Sequence, residues 1–310
     1  MRTLPFLPLL PRLPLLPRRT GPRNAWLSSA LLRATALELV VLAGHALIYP
    51  TGIPGERRTP PRPPAEPAPT PPGTTALPGA HAGSTAHAGR TGQIGHRERP
   101  PVVLLHGFID NRSVFVLLRR SLARHGWRHL ESLNYSPLTC DIRTAAELLG
   151  RHVEEICART GHREVDIVGH SLGGLIARYY VQRLGGDQRV RTLVTLGTPH
   201  AGTAVAPLAS ALPIVRQMRG GSAPIEELRL PAPGCRTRFI SFWSELDQVI
   251  VPAEAACVDH PDLDATNVRV SGIGHLALPV HPAVAAGVRQ ALDAQEPGNR
   301  TSVEHRAKAV

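Results

Sequence analysis

From Pro100 onward the chain alternates between short blocks that are apolar throughout and longer blocks whose apolar residues recur every three or four positions. The short blocks "PVVLLHG", "RHLESLNY", "VDIVG", "RVRTLVTLGTP", "TRFISFW" and "NVRVSG" read as strands. Between them, "NRSVFVLLRRSLARHG" sets Val114, Phe115, Leu118 and Leu122 at helical spacing and stops at Gly126. "DIRTAAELLGRHVEEICARTG" gathers Ile142, Ala146, Leu149, Val153 and Ile156 on one helical face, with Asp141 placed as its cap. "LGGLIARYYVQRLGG" and "HPAVAAGVRQALDA" complete the set. Strands that are apolar on both faces and alternate with helices predict a mostly parallel sheet covered by helices on both sides. In such sheets ligands bind beyond the carboxyl ends of the strands. No internal repeat is present. The folded domain is expected over residues 100–294, followed by a polar tail at 295–310.

Before residue 100 the pattern disappears. Residues 51–99, with "RRTPPRPPAEPAPTPPGTTALPG" as the densest part, hold too few large apolar residues to offset the entropy of ordering and read as a proline-rich, disordered linker. Residues 1–50 are apolar and basic. Prolines break up "MRTLPFLPLLPRLPLLPRR", and Arg33 and Glu38 interrupt the stretch from Trp26 to Tyr49. The uninterrupted run Leu39–Tyr49 has the length of a signal-peptide core. Basic residues ahead of it fit an export signal or a retained membrane anchor, and a helix packed on the folded domain is the alternative. A secreted or membrane-anchored protein, its main domain extracytoplasmic, is the expectation. The formal net charge of the 310 residues is +11. Residues 1–100 carry +8 of it and residues 101–310 only +3. The basic excess thus belongs to the arm and lacks interleaved aromatics, so no nucleic-acid partner is expected.

Chemistry concentrates in "EVDIVGHSLGG". Gly169 to Gly173 is a Gly-x-Ser-x-Gly pentapeptide lying between a strand and a helix, the setting of a nucleophile elbow. Glycines two before and two after Ser171 relieve crowding in so tight a turn, and the helix begins at the serine with its positive end toward any developing anion. Close helix–strand packing alone would also use Gly173 and Gly174. A serine hydroxyl needs a base. Of the 15 histidines, His275 in "GIGHLALP" directly follows a strand, and His200 in "GTPHAGT" is its main competitor. His170 is expected to point its ring away from the reacting face, and His106 to position the loop beside it. The acid that orients the base is expected at Asp247, with Glu245 as the nearby alternative. Asp259, Asp262 and Asp264 read as a solvated acidic loop. The order Ser171, Asp247, His275 is that of the α/β-hydrolase fold. Backbone N–H groups of Phe108, after His106-Gly107, and of Leu172 are the expected oxyanion donors.

"PVVLLHGF", "VDIVGHSLGGLIARYY", "LVTLGTPHAGT", "SELDQVIVP" and "GIGHLALP" together resemble the bacterial lipase and carboxylesterase branch of the α/β-hydrolase superfamily. The likeness runs from about Pro100 to Pro279 and leaves out the arm. It implies an α/β-hydrolase fold and hydrolysis of lipid or other acyl esters through an acyl-enzyme, with no cofactor and no metal. The oxyanion loop departs from many of these lipases: Phe108-Ile109-Asp110 stands where a second glycine is common. Residues 204–235 form an insertion whose stripe of Val205, Leu208, Leu212, Val215 and Met218 is either a cap facing acyl chains or a core-packing helix. A non-catalytic, membrane-tethered binding protein of the same fold, and an amidase or acyltransferase using the same residues, are the competing functions. Cys140 and Cys157 are too far apart to pair. Cys235 and Cys257 either form a disulfide or stay unpaired.

Overall fold

Six strands form one parallel sheet in the order β2-β1-β3-β4-β5-β6. They are β1 (Val102–Leu105), β2 (Leu130–Leu133), β3 (Val165–His170), β4 (Val190–Leu196), β5 (Arg238–Trp243) and β6 (Asp264–Arg269). Among the described residues seven α-helices accompany them: α1 (Arg23–Ile48), α2 (Val116–Arg124), α3 (Ile142–Thr160), α4 (Leu172–Arg183), α5 (Pro213–Gln217), α6 (Ala223–Glu227) and α7 (Pro282–Asp293). This computed structural model describes residues 23–48, 50, 99–108, 110–135, 141–205 and 212–294. The expectations for residues 1–22, the linker up to residue 98, the tail, Cys140 and Leu208 lie outside the described residues.

The sheet divides the core into two layers, as the pleat dictates. Val103 and Leu105 of β1, Ile167 of β3, Leu193 of β4 and Phe239 of β5 pack with α3 and α4 on one face. Val102, Leu104, Val168, Val194 and Phe242 pack with α2 and α7 on the other. The α/β architecture read from the periodicity is the one observed. Helix α3 shows why it was legible: the Asp141 side chain accepts from the Thr144 N–H at 2.8 Å, and Gly161 ends the helix in the left-handed region at φ 75°. Asp166, a charged residue in the buried β3, pairs with Arg191 of β4 at 3.0 and 2.6 Å, which is what lets it enter an apolar strand.

Two elements differ from their expected form. β6 begins at Asp264 rather than at Asn267. It is the sheet's edge, bonded only to β5, and four of its six positions are exposed and none is buried, so its first residues carry no apolar signal. The stripe expected from Val205 to Met218 does not form one helix: among the described residues only Val215 of it lies inside a helix, α5, flanked by Leu212 and Met218, and α6 follows beyond it. Pro213 starts α5, Gly221 turns the chain at φ 77°, and Pro224 lies in the first turn of α6.

Helix α1 lies against the folded domain. Ala34 is buried, and Leu37 and Val41 pack against the layer that holds α2 and α7. Among the described residues no helix is long and apolar enough to cross a membrane.

Candidate active site

At the end of β3 the chain turns sharply into α4, and Ser171 sits at the turn with φ 52° and ψ −120°. It is the only non-glycine among the described residues with positive φ. Such a backbone costs roughly 1–3 kcal/mol and persists only where neighbours enforce it. They do so here: the Ser171 N–H donates to the Leu196 carbonyl at 2.9 Å, and the Thr198 hydroxyl donates to the Ser171 carbonyl at 3.0 Å. The surrounding glycines are required by contact distances. A Cβ on Gly173 would lie 2.3 Å from the Leu105 carbonyl oxygen, and one on Gly169 would lie 2.6 Å from the Gly174 backbone. Leu172 opens α4 directly after the serine, at the helix's partly positive end.

The loop after β1 passes over this turn. A Cβ on Gly107 would come within 3.3 Å of the Ser171 Cβ. His106 anchors the loop: its Nδ1 is 2.8 Å from the Gly107 carbonyl oxygen, and its ring stacks on Tyr135 at 4.4 Å. The Tyr135 hydroxyl donates to the His106 carbonyl. Phe108 follows in the same loop and lines the cavity above Ser171.

His275 enters from the loop after β6. Its Nδ1–H donates to the Asp247 carboxylate over 2.7 Å, which fixes the proton on Nδ1 and leaves Nε2 as the acceptor. Asp247 is itself fixed, because its other oxygen accepts from the Val249 N–H at 2.8 Å and the Ile250 N–H at 2.9 Å. Both residues are buried. Burial by itself pushes the His275 imidazole down, but the adjacent Asp247 carboxylate outweighs it, with Glu38 and Asp110 adding to the effect. The net result holds the imidazole above its ordinary 6.5. Gly197, at φ 55°, leaves room for this pair: a Cβ there would lie 3.0 Å from His275 Nδ1.

The structure therefore brings Ser171, Asp247, His275, Phe108 and Leu172 together at the carboxyl end of the sheet. It does not bring His200 there. That ring is buried against β4, with Nε2 3.0 Å from the Thr195 hydroxyl, and burial holds it well below the usual histidine range. Glu245 turns outward to Arg269 at 3.2 Å. Asp262 accepts from the Ala232 N–H at 2.7 Å. Cys157, Cys235 and Cys257 are unpaired.

His170 corrects an expectation, since its ring does not point away. Strand alternation places it on the same sheet face as Val168, beneath the loop that carries His275. The two imidazoles meet at 4.9 Å between centroids. His170 Nδ1 lies 3.2 Å from an Asp110 oxygen, and Nε2 lies 3.3 Å from the His275 carbonyl. Sequence reasoning also missed Glu38 of α1, whose carboxylate accepts from the N–H groups of Leu276 at 2.8 Å and Ala277 at 3.0 Å. The available signal was an acid standing in an apolar run with no visible partner.

These groups surround a cavity of about 220 Å³. Besides Ser171 and His275 it is walled mainly by apolar side chains, among them Phe108, Val205, Val215, Met218 and Leu276. Val215 and Met218 also belong to the larger core layer, so the insertion packs the core and roofs the cavity at once.

Comparison with known proteins fits this architecture. Residues 100–219 match a family model described as alpha/beta hydrolase fold. A triacylglycerol lipase of Pseudarthrobacter phenanthrenivorans is 30% identical over 112 residues, 34% of this chain and 34% of that protein. One from Burkholderia plantarii is also 30% identical over 112 residues, 34% of this chain and 31% of its own length. The chain thus spans about a third of the curated relatives it matches. Among solved structures, a Bacillus licheniformis lipase in mature form superposes with a TM-score of 0.54 at 16% identity, covering 63% of this chain and 93% of that one. Aspergillus fumigatus lipase B gives 0.58 at 16% identity, over 69% of this chain and 57% of that one. At such identity the solved structures show the fold alone.

Proposed function

This chain has the α/β-hydrolase fold and is distantly related to bacterial triacylglycerol lipases, and we propose that it hydrolyses carboxylic esters through a serine acyl-enzyme. The observation that carries this reading is the 2.7 Å Asp247–His275 hydrogen bond, opening onto the same cavity as a serine held at φ 52°. Neutral His275 takes the Ser171 proton on Nε2 as Oγ attacks the ester carbonyl. Asp247 holds the imidazole in the required tautomer and stabilises the imidazolium that forms. The tetrahedral oxyanion accepts from the backbone N–H groups of Leu172 and Phe108, already fixed in position before the reaction. Collapse expels the alcohol, which leaves with the proton from His275 Nε2. Water, deprotonated by the same nitrogen, then attacks the acyl-serine and releases the acid. The basic, apolar stretch of residues 1–22 supports an exported enzyme whose helix α1 is retained on the domain it packs against.

The experiment is covalent labelling by a fluorophosphonate probe together with turnover of p-nitrophenyl esters. Wild type should label rapidly and Ser171→Ala not at all, with kcat lower by about 10⁶-fold. Equal absence of labelling in both would reject the hydrolase reading in favour of a binding protein of the same fold. Labelling without ester turnover, but with amide cleavage or acyl transfer, would move the reaction to those classes.

A further inference from the structure

No step of the proposed reaction calls on residues before the β1 strand, yet α1 places a carboxylate in the wall of the cavity. Glu38 bonds the two amides that directly follow His275, those of Leu276 and Ala277. On the other side, a Cβ on Gly274 would lie 2.6 Å from the Glu38 carboxyl carbon. The carboxylate is therefore seated in a socket made by two donors and a missing side chain, immediately before and after the imidazole. The helix that delivers it is tied down separately. Leu37 and Val41 pack on the domain, and Gln248, next to Asp247, donates to the Thr35 hydroxyl at 3.0 Å. Hydrogen bonds from backbone N–H to an ionised carboxylate are among the stronger ones, and deleting the acceptor strands both amides.

From this seat we infer that Glu38 is a positioning residue for the ester hydrolysis proposed above, its carboxylate fixing the turn that carries His275 and adding negative charge beside the imidazole. Helix α1 is then a working part of the active site. The charged and titratable groups facing His275 are Asp247 from the loop after β5, Asp110 from the loop after β1, His170 from the end of β3, and Glu38 from α1. Asp247 remains bonded when Glu38 is changed, so the imidazole keeps its orienting partner and loses only the clamp and one charge. A clamp without electrostatic influence would alter stability and leave the titration of His275 unmoved.

The test uses the full chain with Glu38→Gln and Gly274→Ala. The second keeps the acid but fills its socket, so it serves if the first does not fold. The His275 imidazole is titrated by NMR on histidine-labelled protein, its signal identified by loss in His275→Ala. In both variants it should titrate at lower pH than in wild type, and the acid limb of kcat/KM should move down with it. At the optimum kcat should fall about tenfold to a hundredfold, the scale set by small misplacements of reacting groups, with KM little changed. Unchanged titration and unchanged kcat in a folded variant overturn the inference. Because the titration needs no turnover, the two readings separate: a shifted His275 in a chain that cleaves no ester keeps the Glu38 coupling and rejects the esterase.

Discussion

His275 is packed among three carboxylates, and that decides how the proposed ester hydrolysis should respond to acid. Burial opposes protonation of the ring, yet the Asp247 charge and hydrogen bond, with Glu38 and Asp110 behind them, hold its pKa above 6.5. The base must be neutral to accept the Ser171 proton, and raising its pKa keeps it protonated to higher pH. Hence kcat/KM should fall on acidification through a midpoint above 6.5, the ordinary histidine value. Removing the main source of the shift should move that midpoint down: Asp247→Asn should lose about 10⁴-fold in kcat while its residual activity persists to lower pH. A midpoint at or below that of free histidine, in wild type, would show that burial wins. At this scale the placement of Ser171, Asp247 and His275 at one end of the sheet was legible, because each stands in the segment that follows a strand, β3, β5 and β6 in turn. Glu38 and His170 were not. Their placement depends on which sheet face a loop crosses and where a distant helix docks, and neither leaves a periodic trace.

The elbow works as an element because α4 lies almost against β1 and β4. Ten of its residues, Leu172 through Val181, are buried, and its first turn approaches backbone closely enough that glycine alone fits. A methyl on Gly173 would meet the Leu105 carbonyl oxygen at 2.3 Å and the His106 carbonyl oxygen at 2.6 Å. Both are main-chain atoms, unable to swing aside as a flexible side chain could. Gly173→Ala should therefore destabilise the fold by about 1–3 kcal/mol, read as a thermal midpoint lower by several degrees. It should also displace the His106–Phe108 loop, so activity should fall further than stability alone accounts for. Wild-type melting and wild-type kcat in this variant would contradict the close packing. The strand–turn–helix signal was strong here for the same reason that the glycines are needed. The insertion gave a weaker signal, because Pro213 breaks the expected stripe and leaves only the short helix α5 within it, whose Val215 faces the core and the cavity alike.

The cavity is a property of the whole molecule. Phe108 comes from the loop after β1, Val205, Val215 and Met218 from the insertion, Ile250 from the segment after β5 and Glu38 from α1. No local pattern could have predicted its size, although the sheet edge on which it opens followed from the order of strands. At about 220 Å³ it is smaller than most ligand pockets, which run from about 300 to 1,000 Å³. Its apolar walls should reward each methylene of an acyl chain by about 0.8 kcal/mol, roughly fourfold in kcat/KM, until the space is filled. Across p-nitrophenyl esters of increasing length, kcat/KM should thus climb over the short acyl chains and then drop, with butyrate well ahead of palmitate. Val215→Ala enlarges the roof without touching Ser171, Asp247 or His275, and should carry the turning point to longer chains. Met218→Trp should carry it to shorter ones. If both variants kept the wild-type profile, the acyl chain would have to lie elsewhere, outside the cavity that Val215 and Met218 roof.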